Sequence, residues 1–128
     1  MDQSPQSPGM VRPLTGIRVI ELSDQDCGAS CAEVLAWYGA DVVKVEPPAG
    51  VRARHATSDK PGVDSYEFIL LNANKRSMTC DLGSQPGREC LRKLLLNADV
   101  LIENLAPGAV ERLGLGYETV RDLNPRLV

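Results

Sequence analysis

Residues 16 to 48 carry the pattern that most narrows what this chain can fold into: an apolar run, a polar loop, a helical stretch and a second apolar run. After Gly16, the residues Ile17, Val19, Ile20 and Leu22 make a β-branched stretch interrupted only by Arg18 and Glu21, which suits a strand buried on both faces. Ser23, Asp24, Gln25 and Asp26 break it. Cys27, Gly28, Ala29, Ser30 and Cys31 then lead into a helix of about ten residues carrying Val34, Leu35 and Trp37. Gly39 stands just past the last periodic residue, where a left-handed cap belongs, and residues 40–45 read as a second strand stopped by Glu46, Pro47 and Pro48. A helix joining two parallel strands is a right-handed crossover. Ligands of such sheets sit at the carboxyl ends of the strands, here residues 22–29 and 46–54.

The same order recurs downstream. Residues 77–82 alternate as a strand, with Met78, Cys80 and Leu82 on one face and Thr79 and Asp81 on the other. After Gly83, Ser84 is placed to cap a helix with Pro86 in its first turn and Leu91, Leu94 and Leu95 as its apolar stripe, running to about Asn97. Residues 98–103 form the next strand, and residues 103–108 the loop at its carboxyl end. Two such units predict an α/β fold with a mostly parallel sheet.

Other stretches leave alternatives open. Residues 49–65 are irregular and carry Arg52, Arg54, His55 and Lys60, as a loop over a pocket or a plain surface loop would. Residues 66–71 are apolar and short, and residues 72–77 fit neither helix nor strand pattern. Asn72, Asn74, Lys75 and Arg76 offer donors suited to phosphate or carboxylate oxygens, and equally make a polar turn. Val110, Leu113 and Leu115 suit a short helix broken by Gly114 and Gly116, and residues 117–123 suit another. Residues 126–128 follow Asn124 and Pro125 as a strand begins, so a fragment of a longer protein, or a truncated gene product, is expected.

A net charge of −3 and few aromatics argue against a nucleic-acid partner, and no apolar run reaches the length that spans a bilayer. Residues 1–12 have neither the basic start nor the apolar centre of a secretory signal and read as a disordered tail before a domain over residues 13–128. A cytoplasmic location is therefore expected, with Cys27, Cys31, Cys80 and Cys90 reduced. Their spacing is uninformative, metal sites more often offering a tighter pair plus a second pair; small buried side chains are the plain reading, and no metal is expected.

The segments PLTGIRVIELS, GADVVKVEPP, LLNANKRSMTCDL, ADVLIENLAPGAVERLGLGYE and LNPRLV, in this order and spacing, resemble the amino-terminal part of class III CoA-transferases. That family includes formyl-CoA transferase, carnitine-CoA transferases and α-methylacyl-CoA racemase, and residues 59–65 look most like the formyl-CoA transferase branch. The resemblance implies a Rossmann-like large domain, of which residues 13–128 are the amino-terminal part, and two interlocked subunits. It implies coenzyme A contacts at Gln25 and Asp26, at Asn74, Lys75 and Arg76, at Asn104 and Leu105, and at Arg112, with Arg54 where the family often keeps an arginine. Acyl-CoA and a carboxylic acid would be the substrates.

The resemblance also implies a covalent mechanism, in which an aspartate attacks the thioester and CoA attacks the resulting anhydride. That aspartate lies some forty to fifty residues past the equivalent of Val128, so Asp24, Asp26, Asp41 and Asp81 do not inherit its role. Asp24 and Asp26 depart from the usual polar or apolar residues. Asp26 reads as a helix cap, and either acid, if it faced the thioester, would repel an oxalate-like anion. Three outcomes follow for the chain: part of a transferase or racemase, a CoA-binding remnant without catalysis, or an α/β fragment with an exposed sheet edge.

Overall fold

The computed structural model describes residues 12–24, 26–56, 58 and 60–128, so most of the expected amino-terminal tail, and Gln25, lie outside the described residues. Four strands, β1 (Arg18–Leu22), β2 (Asp41–Glu46), β3 (Arg76–Thr79) and β4 (Val100–Glu103), form one sheet in the order β3-β2-β1-β4. Every pairing is parallel, as the alternating pattern predicted. The helices are α1 (Asp26–Trp37), α2 (Tyr66–Leu71), α3 (Gln85–Leu95), α4 (Ala109–Arg112) and α5 (Tyr117–Leu123), and a 3₁₀ turn spans Arg52–Arg54.

The two central strands are apolar on both faces because helices cover both. On one face Ile20, Leu22, Val43 and Val45 pack with Leu91 and Leu95 of α3, Val120 of α5 and Leu115. On the other, Val19 and Val42 meet Ala32 and Ala36 of α1. The small side chains of α1 let the helix lie close to the sheet, and Gly39, at φ 102°, turns the chain from α1 into β2. The α1 face changes character along the strands. Beyond Val19 and Val42 its next side chains are Glu21, Lys44 and Glu46, all buried, and Glu21 pairs in register with Lys44.

Several boundaries shift from expectation. The apolar stretch 66–71 is helix α2, started by Ser65, whose Oγ accepts from Phe68 N at 3.0 Å. β3 ends at Thr79 rather than at residue 82. Cys80 N still donates to Glu46 O at 2.7 Å, but a Cβ on Gly87 would lie 1.9 Å from Asp81 O, so the first turn of α3 occupies the space a longer strand would need. Strands β2 and β4 and helix α3 differ from the expected limits by two residues at most. The strand expected from residue 126 reduces to one pairing: Val128 N donates to Asp99 O at 3.1 Å and Leu101 N donates to Val128 O at 2.9 Å, the parallel pattern, on the side of β4 away from β1.

Candidate functional site

The loops leaving β1, β2, β3 and β4 converge at the carboxyl end of the sheet around a cavity of about 360 Å³. Its wall is chiefly apolar, from Leu22, Val45, Pro47, Val51, Leu82 and Leu105, with Asp24, Arg52 and Asp81 also lining it. Polar contacts between loops set its shape. Asn104, after β4, accepts from Asp24 N at 3.3 Å and donates from Nδ2 to Cys27 Sγ at 3.2 Å, so it ties the β4 loop to the start of α1. Gly28 makes that approach possible, because a Cβ there would lie 2.5 Å from Ser23 Cβ and 3.3 Å from Asn104 Cγ. Asp24 accepts from Arg52 N at 2.8 Å and from Arg52 Nε at 2.9 Å, which joins the β1 loop to the β2 loop.

Behind the cavity lie two sets of buried charges. Glu46 accepts from both Nε and Nη2 of Arg54 at 2.7 Å and from Ser77 Oγ at 2.8 Å. Burial alone would raise its carboxyl, but the hydrogen bonds from Arg54 and Ser77 hold it below its ordinary range. The same pairing with Glu46 raises the Arg54 guanidinium, which also donates to Asp64 at 2.8 Å and lies over the Phe68 ring at 3.9 Å. Arg54 therefore binds the 3₁₀ turn, β2 and α2 together.

In the second set Glu21 stands between two ammonium groups, Lys44 Nζ at 2.6 Å and Lys75 Nζ at 2.9 Å, and accepts from Ser23 Oγ. Lys75 Nζ also donates to Ala29 O at 2.8 Å and to Asn72 Oδ1 at 3.0 Å, with its side chain 2% exposed. Burial pushes the Lys75 amine below its ordinary value, against the opposing pull of Glu21. Glu33 of α1 is buried nearby, and its Oε1 has no hydrogen-bond partner among the described residues.

The expected site residues thus fall into separate groups. Asp26, Asn104 and Leu105 come together at the carboxyl end, Asp26 as the first residue of α1 rather than the residue before it. The expected capping position is thereby corrected by one residue, although an acid in the first turn still complements the helix dipole. Asp26 also faces Glu67 of α2, whose carboxyl it raises. Asn74, the one non-glycine with positive φ among the described residues, and Lys75 precede β3, and Arg76 opens it, at the opposite end of the strands. From there the Lys75 side chain reaches back beneath α1, whereas Arg76 pairs with both oxygens of Asp41 at 2.8 and 2.7 Å. Arg112 lies on α4 beside α3. Sequence reasoning left out Glu21 and Lys44 from the site, and offered Arg52 only within a loop over a pocket or on the surface. The signal for the first two was a charged residue inside each of two strands otherwise fit for full burial.

Among the described residues no group of three or more His, Cys, Asp or Glu is arranged to hold a metal ion, and no helix is long and apolar enough to cross a membrane.

Residues 14–128 match the family model described as CoA-transferase family III. The chain is 45% identical over 119 residues to a formyl-CoA:oxalate CoA-transferase of Streptomyces avermitilis and 42% identical over 120 residues to that of Escherichia coli O6:H1. Each match covers 93% of this chain and 29% of the relative, so the chain spans about three-tenths of their length. Among solved structures, Rv3272 of Mycobacterium tuberculosis superposes with a TM-score of 0.84 at 38% identity, over 92% of this chain and 33% of that one. A CAIB/BAIF family protein of Brucella suis gives 0.83 at 38% identity, over 91% and 32%.

Proposed function

Since the chain belongs to CoA-transferase family III, we propose that it forms the CoA-binding part of an enzyme that moves CoA between an acyl-CoA and a carboxylic acid. The observation that carries this reading is the carboxyl-end cavity, whose volume of about 360 Å³ and apolar wall suit the pantetheine arm of CoA. It is bordered by the polar groups of Asn104, Asp24 and Arg52 that would fix an arm in place. Gln25, Asp26, Asn104 and Leu105 are the proposed contacts there, and Arg112 lies towards the phosphates.

Lys75 acts on this reading through position. Its ammonium, occupied by Glu21, Ala29 and Asn72, holds the first turn of α1 in place, and Arg54 does the same for the β2 loop through Glu46. Asn74 and Arg76, at the far end of β3, are proposed as outer contacts of the same cofactor. The nucleophilic aspartate is proposed to lie outside this chain. In support, Asp24 is held by Arg52, Asp41 by Arg76, and Asp81 accepts from Gly83 N at 3.0 Å. The working assembly is proposed as a cytoplasmic homodimer, with Val34 and Trp37 of α1 and Ile69 and Leu70 of α2, all exposed, as surface it would cover.

Calorimetric titration of CoA into the chain tests the reading. A Kd of about 1 mM or tighter is expected, a free energy near 4 kcal/mol, with Asn104→Ala weakening it several-fold. Absence of heat at several times that concentration overturns it. For the whole enzyme, formyl-CoA and oxalate are the first pair to assay, after the names of the relatives.

A further inference from the structure

The four free cysteines fall into two pairs on opposite faces of the sheet. Cys27 and Cys31 are exposed on α1, whereas Cys80, just past β3, is buried and Cys90, on α3, is half-buried. Several contacts bring the inner two together. Cys80 N donates to Glu46 O at 2.7 Å, which fixes this residue at the carboxyl end of the sheet. Because residue 87 is glycine, the first turn of α3 lies directly against Asp81, and Cys80 Sγ donates to Gly87 O at 3.3 Å. Cys90 stands three residues further along α3, one turn away on the same face. Both cysteines pack into the apolar cluster that holds Leu91 and Leu95. Burial pushes the Cys80 thiol above its ordinary value, and the Cys90 thiol beside it adds to that rise.

The segment that joins these thiols is also part of the cavity: Cys80, Asp81, Leu82 and Gly83 all line it. We infer that Cys80 and Cys90 form a reversible disulfide site, oxidised by a low-molecular-weight disulfide, whose closure ties down this wall of the carboxyl-end cavity. The site does not depend on which ligand the cavity takes. Cys90, the more exposed of the two, gives its proton to solvent, and its sulfur attacks one sulfur of the incoming disulfide. That bond breaks and one thiolate leaves. The Cys80 sulfur, losing its own proton, then attacks the Cys90 sulfur of the mixed disulfide and displaces the second thiolate. Two protein thiols are thereby oxidised to one disulfide, the reagent is reduced to two thiols, and the two protons end on them. Burial keeps Cys80 protonated and slow towards reagents in solution, which suits it to the second step, where the sulfur to be attacked is already beside it. The new bond closes a loop over residues 81–89 and so restrains the wall residues at both ends.

The test incubates the full, folded chain with excess oxidised glutathione, quenches in acid, unfolds the protein and alkylates the remaining thiols before tryptic peptide mapping. Cleavage after Arg76, Arg88 and Arg92 leaves Cys80 and Cys90 on separate peptides, so their disulfide appears as a linked pair. The expected result is joint loss of both thiols into that linked pair, reversed by dithiothreitol, while Cys27 and Cys31 remain free thiols or carry glutathione. Under the same treatment Cys90→Ser should give no linked pair and leave Cys80 open to alkylation, its amide spectrum matching that of the reduced parent away from residue 90. In the oxidised parent the amide resonances of Asp81, Leu82 and Gly83 should move. Free Cys80 and Cys90 at a glutathione concentration that has modified Cys27 or Cys31 overturn the site. So does a stable glutathione adduct on Cys90 without linkage, or linkage that forms only after the chain is unfolded in urea. Linkage with the Asp81, Leu82 and Gly83 amides unmoved overturns its action on the cavity wall.

Discussion

Glu21 sits where the apolar pattern of β1 is broken, and its surroundings explain why the break is tolerated. Two lysines neutralise it inside the protein, so removing the carboxylate leaves two buried ammonium groups facing each other. Glu21→Ala is expected to lower stability by about 3–5 kcal/mol in urea unfolding, and adding Lys44→Met should recover part of that loss. Glu46 gives a pH signature. Its carboxyl titrates lower folded than unfolded, so its contribution is complete above pH 4.5 and is lost as the pH falls through the folded value. Thermal midpoints measured between pH 3 and 6 should fall less steeply for Glu46→Gln than for the parent. The sequence displayed these charges but not their partners. The pairing of Arg76 with Asp41 spans 35 positions and depends on the register of β2 with β3, which no local pattern encodes.

Elements with a punctuation residue at each end were readable in the sequence. Gly39 closed α1 and Ser84 opened α3, where its Oγ accepts from Gly87 N at 3.1 Å. Helix α2 was not readable, because five apolar and aromatic residues around Glu67 show no period that separates helix from strand, and only Ser65 marks its start. That hydroxyl both caps α2 and donates to Ala53 O at 2.7 Å, so Ser65→Ala is expected to cost about 1–2 kcal/mol. Gly28→Ala tests the packing of α1. Although alanine favours a helix, its Cβ would collide with Ser23, and a loss of about 1–3 kcal/mol is expected in chemical unfolding. The same Cβ crowds Asn104, so CoA affinity should fall as well.

For the molecule as a whole, the parallel sheet and the position of its carboxyl-end cavity followed from two β-helix-β patterns. The distribution of the positive charges did not, since Lys75 looked in the sequence like a ligand-facing donor and is instead enclosed beneath α1. The chain has four lysines, and the fold divides them into two kinds. Lys60 and Lys93 are exposed, while Lys44 and Lys75 have side chains 3% and 2% exposed and hold their amines in ion pairs with Glu21. An amine-reactive reagent in limited amount should therefore acylate Lys60 and Lys93 within minutes and leave Lys44 and Lys75 untouched until the sheet opens. Peptide mass spectrometry of the acylated lysines against time would then clock the opening of the folded state without any ligand or spectroscopic label, the two inner lysines appearing together because one carboxylate holds both.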